Sequence, residues 1–556
     1  MIVRGPLVGA ALFLTFLWTS EVRGAEAGGA TSGPARSGNV SVRDYGAAGD
    51  GKSKDTPAIQ RAIDAAAAAG GGTVVLPAGV YLSGTIFLRD HVVLHLAPGA
   101  ILLGSTDLKD YPIVWPKFKS QTDTYVCQAL IYGEDLHDIG ITGRGTIDGQ
   151  GGDAAFDWHK RTAEQPYGYR PYLVRLATCR HVLVQGISLR NSPMWTQHYL
   201  ACDDVIIDGL TVSGHCNANN DMIDLDCCRN VRMSNCTSDT LDDGITLKSC
   251  ADRACENITV TNCVVSSWCN AIKCGTESNG GFRNIAISNC VVRPSAVRSD
   301  KGEPRPGTSG ISLLTVDGGV LENVSISNIV IEGPVTPIFL RLGDRARPFK
   351  PDGPRSGVGI FRDVSISHVT ASAAGRIACG IAGLPGHPIE NVTLDDIRIT
   401  FAGGGTIKDS QSPVPELKEK YPQSDMFGTL PAYGFFVRHA AGLTLRNIEL
   451  HTAKPDQRPA MICEDVRDLT VDGWQATAAP GGLPVIVLQD VVTATLLGCR
   501  AMPGTSVFLR VAGTSDRIAL LGNDLGYAVR AYECADPSRA SAVFENGNRP
   551  PRSGPQ

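Results

Sequence analysis

Along most of this chain apolar and polar residues alternate in short runs, and the runs recur. The motif is Asn or Asp, apolar, x, apolar, x, Asn or Gly, apolar. It appears as HVLVQGISL from His181, DVIIDGLTV from Asp204, NVRMSNCTS from Asn230, NITVTNCVV from Asn257, NIAISNCVV from Asn284 and NVSISNIVI from Asn323. It returns from Asp363, Asn391, Gly442 and Asp468. Alternation with a period of two predicts strands, not helices. The anchors Val182, Val205, Val231, Ile258 and Ile285 are spaced by 23, 26, 27 and 27 residues, and the next intervals are 39, 40 and 28. Strands repeating at such a period predict a solenoid, because one coil cannot bury its apolar side and a stack of coils can. The chain lacks both the continuous amphipathic segments of helical repeats and a dense leucine signature, which leaves an all-β parallel β-helix. The long intervals are then coils carrying exposed insertions, around 294–308, 341–358 and 403–430, rich in Pro, Gly and charge.

One segment breaks the alternation. TPAIQRAIDAAAAAGG, from Thr56 to Gly71, reads as a short amphipathic helix with a glycine stop. Its expected role is to cap the open N-terminal coil, which would otherwise expose apolar surface and unpaired backbone. The β-helix domain is expected over residues 38–535, with a polar, Pro-rich, disordered tail over 546–556. Before the domain, Arg4, an apolar run from Leu7 to Trp18 and the small residues Gly24, Ala25 and Ala27 read as an export signal spanning 1–25. The run is short for a membrane span and no later apolar stretch is long enough, so a secreted or periplasmic protein without a membrane anchor is expected.

Composition narrows the choice of partner. With 51 basic and 56 acidic residues, a formal net charge of −5 and no block of one sign, a nucleic-acid partner is not expected. Seventeen cysteines lie mostly in or beside strands, and Cys236, Cys263 and Cys290 recur every 27 residues, which marks them as small stacked core residues. Cys250 and Cys255 are the best local candidates for a disulfide. No paired Cys or Cys/His spacing suggests zinc, and no metal or cofactor is expected.

DYGAAGDGKSKDTPAIQRAIDAAAAAGGGTVVLPAGVYLSG, from Asp44, is similar to the amino-terminal signature of the pectate-lyase-like β-helix superfamily. RGTIDGQGG from Arg144, NSPMWTQH from Asn191, NNDMIDLD from Asn219 and LDDGITLKS from Leu241 resemble the polygalacturonase family, glycoside hydrolase family 28. The resemblance covers about residues 40–450 and is specific in the order and spacing of its motifs. It implies a right-handed, single-stranded parallel β-helix and hydrolysis with inversion by three aspartates in a groove. The Asn-x-Asp motif falls on Asn219, Asn220 and Asp221, and the Asp-Asp pair on Asp242 and Asp243. Two motifs depart from the family: Asn270 stands where the family has a histidine, and Ser312, Leu313 and Leu314 stand where it has Arg-Ile-Lys.

The carboxylates suit the chemistry. Inverting hydrolysis needs a carboxylic acid for the leaving oxygen and a carboxylate to activate water, about 6.5–9.5 Å apart. Aligning Ile223, Ile245 and Ile272 puts Asp221 and Asp243 at equivalent sites on adjacent coils, with Asp242 one residue away. Asp242 is expected to be the general acid, and Asp221 with Asp243 to hold the water. Asn219, Lys248, Lys273 and Glu277 on the outward face, with Trp195 and His198 one coil earlier, are the candidate contacts to a polysaccharide or oligosaccharide bound by a monomer. Tyr433 and Arg438, in PAYGFFVRH, are further candidates if that segment, preceded by the insertion containing KEKYPQSDMFG, folds over the groove. Two other readings remain. One is a calcium-assisted lyase with Asp221, Asp224 and Asp226 as ligands and Lys248 or Lys273 as base; the other is a carbohydrate-binding β-helix without catalysis.

Overall fold

The computed structural model describes residues 38–162, 167–299, 302–303, 305–350 and 352–551. The expected export signal lies outside these residues. Strand pairs with strand in parallel, coil after coil, as a right-handed parallel β-helix. The anchors of the repeat stand in one register: Val182 pairs with Val205, then Val231, Ile258, Ile285, Val324, Val364 and Val392. Residues two apart share a face, so these anchors all point inward and form one continuous core. Burying each Val or Ile contributes about 1.5–3 kcal/mol, a gain that a single coil in water would lack.

The polar start of each repeat also has a physical cause. Asp204, Asn230, Asn257, Asn284 and Asn323 adopt φ of 55°, 55°, 56°, 56° and 55°, a left-handed turn that Asn and Asp tolerate better than other side chains. Their side chains bond along the stack: Asn230 donates to Asp204 at 3.1 Å, Asn257 to Asn230 at 3.1 Å, and Asn284 to Asn257 at 3.1 Å.

The helix spans Thr56–Ala68, with a proline in its first turn. Ile59, Ala62, Ile63 and Ala66 form its buried face and join the main core, closing the N-terminal end of the stack. Asp55 precedes the helix without capping it; its carboxylate accepts from the amides of Ala48 and Gly49 at 2.6 and 3.0 Å.

Cys236, Cys263 and Cys290 are buried on successive coils as expected. Cys250 and Cys255 form no disulfide. Cys255 faces the core, whereas Cys250 lies outside it with its amide donating to Asp226, so the two side chains serve different faces of the coil. Pairing runs past residue 535: Val543–Asn546 forms a strand, Asn548 donates to Leu520 at 3.0 Å, and Asp524 bridges Arg549. Ordered coils therefore extend to Arg549, into the segment read as tail; 552–556 lie outside the described residues.

Candidate active site

The site lies on the outward face of one sheet, on strands Gln197–Leu200, Ile223–Asp226, Ile245–Ser249, Asn270–Ser278, Ser309–Thr315 and Thr336–Leu342. Ile223 pairs with Ile245, Ile245 with Ile272, Ile272 with Ile311 and Ile311 with Ile338. The alignment read from the sequence is thus the observed register. Asp221, Asp243 and Asn270 each stand two residues before the paired isoleucine, one above another at a coil rise of about 4.8 Å. Gly244 permits this stacking, since a Cβ there would meet Ala271 O at 2.4 Å and Val265 Cγ1 at 2.5 Å.

Eight of the nine predicted residues line a single cavity of about 200 Å³: Trp195, Asn219, Asp221, Asp242, Asp243, Lys248, Lys273 and Glu277. His198 does not. It sits behind the cavity wall, fully buried, with Nε2 3.1 Å from Asp226 and its ring against Tyr172 and Trp195. Burial pulls its pKa down to about 4, leaving a neutral ring. Its expected contact with substrate is corrected to support of the wall, because aromatic neighbours cover the outward face of that coil. Tyr433 and Arg438 are corrected likewise: Phe435–Arg438 pairs with Cys379–Ala382 as a further coil, Tyr433 is buried with its hydroxyl donating to Thr477 O at 2.7 Å, and Arg438 pairs with Glu464 at 2.6 Å.

The carboxyl pKa values of the three aspartates shift in different directions, for reasons visible in their contacts. Burial first, then the neighbouring Asp243 charge, pushes the Asp242 carboxyl above its ordinary range. Asp242 accepts from the amide of Asp243 at 2.9 Å and from Asn219 Nδ2 at 3.4 Å. Asn219 is itself held by Arg170, whose guanidinium donates to its Oδ1 at 2.9 Å. Burial also acts on Asp243, but Lys273 and Lys248 outweigh it and hold that carboxyl below the usual range. Lys273 Nζ lies 2.6 Å from Asp243 Oδ2, and the amide and side chain of Asn270 donate to Oδ1 at 3.1 and 2.8 Å. Asn270, in place of the family's histidine, therefore fixes a carboxylate instead of carrying a titratable ring. Asp221 is 2% exposed and its Oδ1 has no hydrogen-bond partner; burial, then the charges of Asp224, Asp242 and Asp243, raise its pKa well above normal.

The rest of the wall is a network of paired charges. Lys248 lies 3.2 Å from Glu277, 3.5 Å from Asp224 and 4.5 Å over the Trp195 ring. Glu277 also accepts from Arg347 at 2.9 Å and from the Tyr125 hydroxyl at 3.1 Å. Arg345 bonds to Asp317 and to Thr276. Tyr125, Tyr167, Arg345, Arg347 and Tyr421 complete the cavity. The sequence pattern missed these five because each sits in an insertion between coils, where no periodicity assigns a facing. The visible signals were the arginine-rich LGDRARPF and the insertion KEKYPQSDMFG, which carries Tyr421.

Ser312, where the family has a cation, is buried, its hydroxyl donating to Asn270 at 3.2 Å. Among the described residues Asp242, Asp243 and Cys269 bring possible ligand atoms within 4.8 Å of one another, but the Lys273 ammonium already neutralises Asp243. The calcium set considered for a lyase does not assemble, because Asp226 is engaged by His198 and the amide of Cys250.

Residues 115–418 match the model of glycosyl hydrolases family 28, and residues 39–165 match the model described as rhamnogalacturonase A/epimerase, pectate lyase-like. A probable polygalacturonase of Vitis vinifera is 34% identical over 224 residues, 38% of this chain and 45% of the relative. An exo-poly-alpha-D-galacturonosidase of Dickeya chrysanthemi is 37% identical over 120 residues, 20% of this chain and 19% of the relative. The chain thus spans less than half the length of these curated relatives. Among solved structures, the Yersinia enterocolitica family 28 exopolygalacturonase superposes with a TM-score of 0.61 at 20% identity, covering 79% of each chain. The Thermotoga maritima exopolygalacturonase gives 0.58 at 22%, covering 74% of this chain and 91% of its own.

Proposed function

The chain belongs to glycosyl hydrolases family 28, and from that membership we propose that it is an exported hydrolase of a pectin-related or other plant or algal polysaccharide, acting with inversion at the anomeric carbon. The observation that carries the reading is the gathering of three aspartates at one cavity, where Lys273 lies 2.6 Å from Asp243 and burial shifts the Asp242 carboxyl upward. Asp242, its pKa raised by burial and by the neighbouring Asp243 charge, donates its proton to the departing glycosidic oxygen. Asp243, kept ionised by Lys273, takes a proton from water as it attacks the anomeric carbon from the opposite face, and Asp221, one coil away, positions that water. The bond to the leaving sugar breaks, the bond to water oxygen forms, and the two protons end on the leaving hydroxyl and on Asp243.

Substrate and location rest on separate support. The named relatives are polygalacturonases, which makes pectic chains the first substrates to try. Export is supported by the sequence pattern of residues 1–25, and no helix among the described residues is long and apolar enough to cross a membrane.

The test is to incubate the protein with polygalacturonate, rhamnogalacturonan and algal polysaccharides and follow new reducing ends, with the product anomer read by proton NMR in the first minutes. The expected result is release of reducing sugar with inverted configuration, abolished in Asp242→Asn. Unsaturated products absorbing in the ultraviolet would replace this reading with elimination. Binding without release, equal in wild type and variant, would replace it with a carbohydrate-binding role.

A further inference from the structure

The groove of a parallel β-helix runs along the axis, and a polysaccharide lying in it would cross several coils. Here the outward face of the sheet is covered on both axial sides of the aspartates. On the N-terminal side Trp195 occupies, one coil earlier, the position of Asp221, as the His198–Asp224 pairing requires. Tyr125 packs edge-on against Trp195 at 5.7 Å, and Tyr167 lies 4.4 Å from Tyr125, so the path over Tyr172 and Tyr132 is filled.

On the C-terminal side Leu314 and Phe339, which face outward on the next coils, are covered by Leu417, Met426 and Phe427 of the long insertion. Arg341 anchors that insertion through Glu416 O at 2.6 Å. A third wall closes the far ends of the strands, where Gln121 donates to the carbonyls of Arg347 and Pro348 at 3.1 and 3.2 Å. Insertions distant in sequence are thus tied to one another around a cavity of about 200 Å³, room for one sugar ring.

The fourth side is different. A second cavity, of about 540 Å³, is lined by Ala218 and Leu241, the immediate neighbours of Asn219 and Asp242 that line the first. Trp158, His159 and His215 also line this second space. The chain thus passes from the lining of one space to that of the other within one residue, between Ala218 and Asn219 and between Leu241 and Asp242.

We propose that the enzyme attacks chain ends: one terminal sugar fills the walled cavity, the scissile bond lies at Asp242, and the remaining chain leaves past Leu241 into the cleft lined by Trp158. This rests on the hydrolase reading above and adds the mode of attack and the path of the leaving chain. Arg161 lies 4.8 Å over the Trp158 ring and His159 4.3 Å from it, so a pyranose in that cleft would pack on the part of the indole that these two leave uncovered.

The experiment uses the full-length protein with polygalacturonate, rhamnogalacturonan and size-defined oligosaccharides of both. Early products are resolved by chromatography and viscosity is followed in parallel. Monosaccharide as the first and sole small product, with viscosity falling slowly, is the expected result. Trp158→Ala should raise KM for trisaccharides and longer by about tenfold while changing disaccharide hydrolysis far less. A mixture of oligosaccharides at early times, with a fast loss of viscosity, would overturn end attack and leave the hydrolase reading intact. Monosaccharide release with equal KM in Trp158→Ala would overturn the exit path. Release of nothing from any substrate would overturn the hydrolase reading, and this inference with it.

Discussion

At the scale of single residues, the chemistry turns on how Lys273 divides its influence between two aspartates. It lowers the pKa of Asp243, which must be a carboxylate to act, and it also lowers that of Asp242, which must be protonated. The active form of Asp243 is lost as pH falls through its depressed pKa; that of Asp242 is lost as pH rises through its elevated one. Activity should therefore follow a bell. Lys273→Met removes the cation from both, so both limbs should move to higher pH, and a kcat/KM profile with unmoved limbs would refute the assignment. Asp242→Asn should lower kcat by about 10²–10⁴-fold, the usual contribution of a general acid, with KM changed little, as measured by reducing-end release.

At the scale of elements, the site is only as precise as the register beneath it. Asp221, Asp243 and Asn270 stack because Ile223, Ile245 and Ile272 are paired inside the core. Ile272→Ala leaves a void under Lys273 and is expected to cost about 2–5 kcal/mol, seen as a lower denaturant midpoint with an unchanged slope. The register was legible because a slip of one residue would turn every apolar side chain of a coil outward. Where the outward face is covered by aromatics, as at His198, the same alternation identifies the facing of a side chain but not what lies above it.

For the whole molecule, a solenoid must protect its ends, since the terminal coils have a neighbour on one side alone. The helix Thr56–Ala68 does this at the N-terminal end with Ile59 and Ile63, both fully buried. Ile63→Glu places a charge against the first coil and should lower Tm and promote association, measurable by scanning calorimetry and by light scattering during size-exclusion chromatography.

The amino-acid sequence by itself determined the strands, their stacking, the inward core and the shared position of Asp221, Asp242 and Asp243. All of these follow from a period-two pattern whose violation would expose apolar surface in every coil. Only the tertiary structure decided that Tyr125, Tyr167, Arg345, Arg347 and Tyr421 converge on those aspartates and that His198 is shut away. Their segments lie outside the repeat, and they reach the site through contacts between residues as far apart as Gln121 and Arg347. No local alternation encodes such contacts; they exist only once the coils have stacked and set the insertions side by side.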